Sequence, residues 1–481
     1  MLTTAMILLP LGAALVLWLV PLAREVAGGL ALLVALIEVG LWIVALMEFD
    51  FGDDGLQLWA QQDWIEDLGI SYHVGFYGYS LWLAGLAVVV SAAAIGYALW
   101  AGRERARAYY GLMLFLLGSM VGVFASQDLL LFYVFFEAML IPLYVLVGAW
   151  GGPDRVRATV ILVIYTMVGS LLMLASVVAF GITEGTFSLL DAGTSDNAWI
   201  FLGFAIAFAV KAPIFPFHGW LRAAYTQSTP EVAAVLSGVV SKAAVFGFLT
   251  IALPHFPEPV EDFRGLVLVL AAAGLVYGSL LAFRQPDIRG VVAYSSMGQM
   301  GLITLGIFAV NDLGLDGAVL HSVNHGLVSA AMFLLAGMVI QRCGTDAFAE
   351  LGGLAKGRPL LATIVMTVGI LTLAVPGSTN FAGEFLILAG VFDRGWGYSV
   401  VGAVAIVLAA MYSLRLISAI LHDRRGEGTA GEGARDLRPF ELGLVVPLVA
   451  CLLALSAWPA AISERSFPDD EPERAVTEAS R

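Results

Sequence analysis

The sequence predicts an all-α integral membrane protein of about fourteen transmembrane helices, built as two inverted five-helix repeats that each contain a broken helix. Three observations carry that prediction. The chain of 481 residues is 60% hydrophobic and only 13% charged, whereas a soluble domain is about half apolar and about a quarter charged. Its apolar runs mostly reach the roughly 20 residues that cross a bilayer as a helix. Its loops alternate between basic and acidic, the pattern that orients membrane helices. Residues 1–481 therefore read as a single polytopic membrane domain.

Helices are expected over residues 2–22 and 27–47, followed by a polar loop with tryptophans to about residue 74. Further helices are expected over 79–100, 110–125, 129–149, 158–180, 198–225, 231–253, 265–283, 290–310, 318–341, 359–392, 398–421 and 440–461. The first run has no basic segment before it and reads as a retained helix, not a cleaved signal peptide. With this count, Arg24, Arg103, Arg105, Arg107, Arg155, Arg157, Arg222, Arg284, Arg289 and Arg342 fall on one side. Lys356, Arg358, Arg424, Arg425, Arg435 and Arg438 join them. The acidic loops near Asp53, Asp54, Asp67, Asp191, Glu261 and Asp312 fall on the other. The basic loops are then cytoplasmic, and both termini lie outside, in the inner membrane of a bacterial cell.

Two of the predicted helices are interrupted. Pro213 and Pro216 break the run KAPIFPFHGWL, and Pro376, Gly377 and Gly383 break AVPGSTNFAGEFLIL. Proline removes a backbone donor and kinks a helix. Unwound backbone at membrane depth survives only inside protein or beside water. Interrupted segments at matching places in two halves point to inverted repeats and an ion path near the midplane. The halves are expected over residues 110–253 and 265–421.

The titratable residues inside the apolar runs are few. The chain has only three lysines, Lys211, Lys242 and Lys356, and otherwise uses arginine as its base. A lysine at mid-membrane costs about 3 kcal/mol on insertion scales. Arginine stays charged, whereas a buried lysine can release its proton. Lys211 and Lys242 therefore read as proton-exchanging groups, against the alternative of lysines that snorkel or bond a carbonyl. Glu137 stands in LLLFYVFFEAMLIPLYVL without another charge nearby, and Lys211 is its natural partner. Such a pair would act as a switch on the field at Lys242, or else Glu137 is a protonated structural acid. His321 and His325, four residues apart, share one helix face and suit a proton relay. The same spacing suits a metal, but no third ligand is evident. His218, just past Pro216, is a further relay candidate, and Glu384 suits the terminal station of the second half. Asp128 and Arg415 lie nearer helix ends, where solvated or snorkelled roles are expected.

These groups describe conduction of protons, or of sodium, along a wet line at mid-membrane. The two cysteines, Cys343 and Cys451, form no C-x-x-C or iron–sulfur spacing. No dinucleotide or phosphate-binding glycine motif occurs, so no cofactor is expected in this chain. No basic patch suggests nucleic acid.

The stretches FFEAMLIPLY (135–144), FAVKAPIFPFHGWL (208–221), FRQPDIRGVVAYSSMGQMG (283–301), NHGLVSAAMFLLAG (324–337), VPGSTNFAGEF (375–385) and DLRPFE (436–441), with the Lys242 helix, carry a family resemblance. The chain resembles the antiporter-like subunit M family of respiratory complex I, the proton-pumping NADH-quinone oxidoreductase. The superfamily includes the sister subunits L and N and subunits A and D of Mrp-type cation/proton antiporters. The resemblance implies fourteen core helices and a glutamate–lysine pair, here Glu137 and Lys211, feeding a central lysine, here Lys242. It implies a translocase subunit without a redox centre, with NADH, FMN, iron–sulfur clusters and quinone on partner subunits and subunits L and N as neighbours. A glutamate at the terminal station, Glu384, favours type M, and the alternative is a subunit of the Mrp D kind. Two departures stand out. The family's Pro-Asp-Ala-His is Arg222-Ala223-Ala224-Tyr225 here, and its Asp-Gly before the third helix is Tyr77-Gly78.

Overall fold

A computed structural model describes residues 1–53, 55–422 and 435–467, excepting the side chain of Asp67. Asp54, Arg424, Arg425 and the Asp67 side chain, all part of the loop-charge pattern, lie outside that description. Twelve described helices are long and apolar enough to cross a membrane. They are α1 (Leu2–Leu19), α2 (Arg24–Glu48), α3 (Gly78–Ala101), α4 (Ala106–Ala125), the near-continuous pair α5 (Leu129–Ala138) and α6 (Leu140–Trp150), and α7 (Arg155–Glu184). After the shorter α8 (Ala198–Lys211) and α9 (Leu221–Gln227) come α10 (Pro230–His255), α11 (Pro257–Arg284), α12 (Ile288–Ile307) and α13 (Asp312–Cys343). Then follow the short α14 (Pro359–Leu371) and α15 (Thr379–Phe392), and the long α16 (Trp396–Leu421) and α17 (Pro439–Ala457). The chain is a multi-pass membrane protein.

The two runs expected to be broken do split. Residues 212–220 separate α8 from α9, and residues 372–378 separate α14 from α15. The carbonyls freed by each break are taken up inside the protein, as apolar surroundings demand. Trp220 Nε1 donates to Val210 O at 3.0 Å, and the Thr372 hydroxyl donates to Gly369 O at 2.7 Å. A third interruption, at Met139, was not expected. Pro142 has no N–H for the carbonyl four residues back, so the helix is broken just after Glu137.

The expected loop after α2 is instead an antiparallel hairpin, β1 (Gln57–Ile65) with β2 (Ile70–Phe76). The turn is closed by Gly69 in the left-handed region at φ 64°. Asp128 is not solvated. It is fully buried, and its carboxylate accepts from Leu130 N, Leu131 N and Ser71 N, which caps α5 and ties it to the hairpin. Arg415 does not snorkel to a free end; it donates to Phe283 O and Gln285 O and so closes the C-terminus of α11.

Two junctions use one backbone device. At the start of α5, Leu129 N donates to Phe187 O at 2.8 Å and Leu189 N to Gln127 O at 2.9 Å. At the start of α12, Ile288 N donates to Asp346 O at 3.0 Å and Phe348 N to Pro286 O at 2.8 Å. The partner segments open alike, with Gly185 (φ 72°) and Gly344 (φ 76°) followed by Thr186 and Thr345. Each threonine hydroxyl accepts from the backbone N–H two residues on at 3.1 Å.

The core sits on α10, whose apolar window is 100% buried, and on α13, at 94%. Small residues let these two helices touch. A Cβ on Gly326 would lie 2.7 Å from Gly238 O and 2.5 Å from Leu86 Cδ2. Gly326→Leu is expected to force α13 away from α10 at a cost of about 1–3 kcal/mol. The check is the thermal unfolding midpoint of the purified protein, which should fall; an unchanged midpoint would mean the contact is not tight.

Candidate functional site

Lys242 lies on α10 and is fully buried. The helix widens into π turns at Leu236–Val240 and Phe248–Ala252, on either side of it. Such turns leave carbonyls off the regular ladder and recur at functional positions. Here Ser237 O accepts from the Lys242 ammonium at 3.0 Å and from the Ser241 hydroxyl at 3.0 Å. The Ser241 hydroxyl stands 3.4 Å from Lys242 Nζ.

From this point a row of polar side chains crosses the bundle. The Ser237 hydroxyl donates to Ser296 Oγ on α12 at 3.0 Å and meets Ser329 Oγ on α13 at 2.6 Å. Ser296 Oγ pairs with His325 Nε2 at 2.9 Å. One helical turn away, the rings of His321 and His325 stack at 6.5 Å between centroids. His321 Nε2 pairs with Gln299 Oε1 at 2.7 Å, and Gln299 Nε2 donates to Glu384 Oε1 at 3.4 Å. Tyr412 stands beside Gln299 and Glu384.

The second break brings Glu384 to this row. The Asn324 amide donates to Thr379 O at 2.8 Å and holds the start of α15 against α13. Gly383 permits the approach, because a Cβ there would lie 2.9 Å from His321 Cβ. Polar atoms without a protein partner gather here: His321 Nδ1, Asn324 Oδ1, Thr379 Oγ1, Asn380 Oδ1 and Glu384 Oε2. Buried polar atoms of this kind are the ones that ordered water serves.

Four of the seven residues read from the sequence thus meet in one row: Lys242, His325, His321 and Glu384. The other three do not join it. Lys211 is buried at the C-terminus of α8, and its ammonium lies 4.5 Å from the centroid of the Phe136 ring. Glu137 is only half-buried, and no ion pair within 4.0 Å joins it to Lys211, although its charge acts on that lysine. The pair expected to act as a switch stands open here, with the lysine over the face of an aromatic ring. His218 is packed against Phe215 and Tyr277, at 5.7 and 5.4 Å between ring centroids, away from the row.

Reasoning from titratable residues missed the hydroxyls and amide between them: Ser237, Ser296, Ser329 and Gln299. For Ser296 and Gln299 the signal was present in the run AYSSMGQMG, whose polar residues recur at helical spacing within an apolar context. Three buried acids were also missed, one of them Glu441 on α17, held by Arg342 at 2.7 Å. Glu38 is fully buried on α2. Glu231, at the start of α10, is held by Arg103 at 2.6 and 2.8 Å and by the Tyr109 hydroxyl at 2.5 Å. Among the described residues no third His, Cys, Asp or Glu joins His321 and His325 in a metal-holding group.

A row of hydroxyl, imidazole, amide, amine and carboxyl groups is thus buried inside an apolar helix bundle, the build of a membrane protein with a polar core. The chain belongs to the family described as NADH:quinone oxidoreductase/Mrp antiporter, whose transmembrane model matches residues 126–410. It is 35% identical to NADH-quinone oxidoreductase subunit M of Mycobacterium tuberculosis, over 94% of this chain and 90% of that protein. Its structure is similar to a chain of respiratory complex I from Thermus thermophilus, with a TM-score of 0.90, 30% identity and coverage of 100% and 99%. It shares its fold with a chain of the Mrp complex from Dietzia sp., with a TM-score of 0.84, 21% identity and coverage of 97% and 52%.

Ser296→Ala is expected to leave Ser237 and His325 without their common partner, at a cost of about 1–3 kcal/mol for the orphaned groups. Denaturant unfolding of the purified protein should show that loss; a midpoint equal to wild type would place the serine outside the row.

Proposed function

We propose that this chain is the M-type antiporter-like subunit in the membrane arm of a proton-pumping NADH:quinone oxidoreductase, and that Lys242 is its central proton carrier. The observation that carries this reading is the row from Lys242 through Ser237, Ser296, His325, His321 and Gln299 to Glu384. NADH, FMN, iron–sulfur clusters and quinone would belong to partner subunits, with L- and N-type subunits as neighbours. The shared device at the starts of α5 and α12 supports two inverted repeats, over residues 110–253 and 265–421. The basic loops would face the cytoplasm of a bacterial cell, with both termini outside.

Hydroxyls and imidazoles accept a proton on one side and release one on the other; with water bridging the Ser237 carbonyl, the two histidines and the Gln299 amide, the row would move protons without a redox step in this chain. The half-buried position of Glu137 exposes it to charges outside the chain. A charge shift there would move Lys211 between the Phe136 ring and Glu137, and so alter the field at Lys242. Bringing a unit charge to about 8 Å at an effective dielectric of about 20 is worth about 2 kcal/mol. Moving a proton against about 100 mV costs about 2.3 kcal/mol. An electrostatic trigger would therefore need to bring its charge within about 8 Å of Lys242. His218, away from the row, would serve at most at its entrance.

Lys242→Met in the assembled complex is expected to lower the protons translocated per NADH while NADH oxidation continues. Lys242→Arg should fail to restore them, because arginine keeps its proton. Full pumping by Lys242→Met would contradict the proposal. Glu137→Gln should impair pumping more than assembly; loss of assembly instead would assign Glu137 a purely structural part. Co-purification with NADH- or quinone-active chains is expected, whereas sodium-dependent exchange with small membrane partners would move the chain to the Mrp-type alternative.

A further inference from the structure

The row leaves Lys242 by the first π turn of α10; the second, Phe248–Ala252, lies on the other side of the lysine. Thr250 is buried within that second turn. A threonine hydroxyl in an apolar helix commonly bonds its own backbone one turn back. Here it meets the hydroxyl of Tyr79, at the start of α3, at 2.8 Å. The widened turn thus has a fixed point outside its own helix. The Tyr79 ring also packs on Phe246, at 6.2 Å between centroids. Phe246 follows Lys242 by four residues and so shares its helix face.

Tyr79 is itself braced. After α17 the chain makes one short helical turn, Ala460–Ser463, and then crosses the start of α3. Tyr79 N donates to Ser466 O at 3.1 Å, and the Phe467 ring stacks on the Tyr79 ring at 5.2 Å between centroids. Tyr77, where the family has aspartate, stacks on the Tyr79 ring as well, at 5.9 Å. Gly78 admits the crossing, because a Cβ there would run into Arg465 O. The Arg465 guanidinium lies over the rings of Trp458 and Phe51, at 4.8 and 5.2 Å from their centroids, and so pins the crossing segment.

We propose that Tyr79 is a positioning residue for Lys242: braced by the C-terminal segment Arg465–Phe467, it holds the second π turn of α10 open and so fixes the rotation of the segment that presents Lys242 to Ser237 O. The inference rests on the reading of Lys242 as a proton carrier. A π turn closes its hydrogen bond one residue later than an α turn, and each residue turns a helix by roughly 100°. Closing the second π turn would therefore rotate the lysine segment against the rest of α10 by about that angle. Lys242 lies between the two widened turns, so its direction depends on both. The Ser237 hydroxyl anchors the first to α12 and α13, and the Thr250 hydroxyl anchors the second to Tyr79. Loss of one such hydrogen bond shifts the balance between open and closed turns about five-fold, the equivalent of about 1 kcal/mol.

The test uses the assembled complex, sealed in vesicles and driven by NADH. Protons translocated per NADH are read across a range of pH, with thermal stability alongside. Tyr79→Phe keeps the stacked ring and removes only the hydroxyl; Thr250→Val keeps the volume and removes the hydroxyl it meets. Each is expected to lower the pumping yield and displace its pH profile, and the double variant to do no more than either alone. Thr250→Ser, which keeps the hydroxyl, is expected to pump as wild type. Phe467→Ala, which loosens the brace, is expected to displace the profile in the same direction as Tyr79→Phe. A bond that serves stability alone would lower the thermal midpoint of Tyr79→Phe and leave its yield and pH profile unchanged. That result beside a defective Lys242→Met would overturn the positioning role and leave the function standing. Wild-type pumping by Lys242→Met would overturn the function itself, and the positioning role with it. Should Tyr79→Phe fail to assemble, Thr250→Val is compared with Thr250→Ser. A displaced profile in the valine variant alone supports the proposal, and equal profiles overturn it.

Discussion

An ammonium group at the centre of an apolar bundle is the constraint on which the rest of this structure depends. Lys242 is fully buried on a helix whose apolar window is 100% buried, so no water-facing surface can stabilise its charge. A charge in such a place must be bonded or must be lost. The helix meets that demand by widening at Leu236–Val240, which turns Ser237 O toward the ammonium. The same turn places the Ser237 hydroxyl against Ser296 and Ser329 on the two neighbouring helices. One local distortion therefore satisfies the lysine and opens the row that leads to Glu384. The close approach of Gly238 to Gly326 follows from the same need, because the serines meet only if α10 and α13 touch.

The path on the other side of Lys242 differs in kind. Lys211 rests on Phe136, and the rings of Phe136, Phe208, Phe132 and Phe246 continue to α10 at 6.3, 6.1 and 5.9 Å between centroids. Aromatic rings pass no protons. They do exclude water, and a low local dielectric lengthens the reach of a charge. Under the proposed function, Glu137 and Lys211 would act on Lys242 through the field, while hydroxyls and imidazoles would carry the protons, so that trigger and conductor would be surrounded by different side chains.

Much of this was legible in the sequence, for identifiable reasons. The membrane helices follow from composition and run length, and the breaks at Pro213 and Pro376 follow from missing backbone donors. The rarity of lysine pointed to Lys211 and Lys242, and isolated charges pointed to Glu137 and Glu384. The hairpin at Gln57–Phe76 was not legible, because its short strands lie in an acidic, tryptophan-bearing stretch without a strong turn motif. The open geometry of Glu137 and Lys211 was not legible either, since pairing depends on where two helices cross. Ser237, Ser296 and Gln299 were passed over because serine and glutamine in apolar helices usually bond their own backbone. Here the helix crossings turn them toward one another. Tyr225, a departure from the family pattern, sets a hydroxyl beside Ser237 and Ser296.

The most direct measurement follows Lys242 itself. The chain has only three lysines, so isotope-labelled lysine, introduced into this subunit and assembled with unlabelled partners, gives three side-chain resonances to resolve by magnetic resonance. Proton carriage by Lys242 predicts that its amine signal changes between charged and neutral forms when NADH is oxidised, while Lys356 stays charged. An amine at Lys242 that remains charged throughout turnover would contradict it.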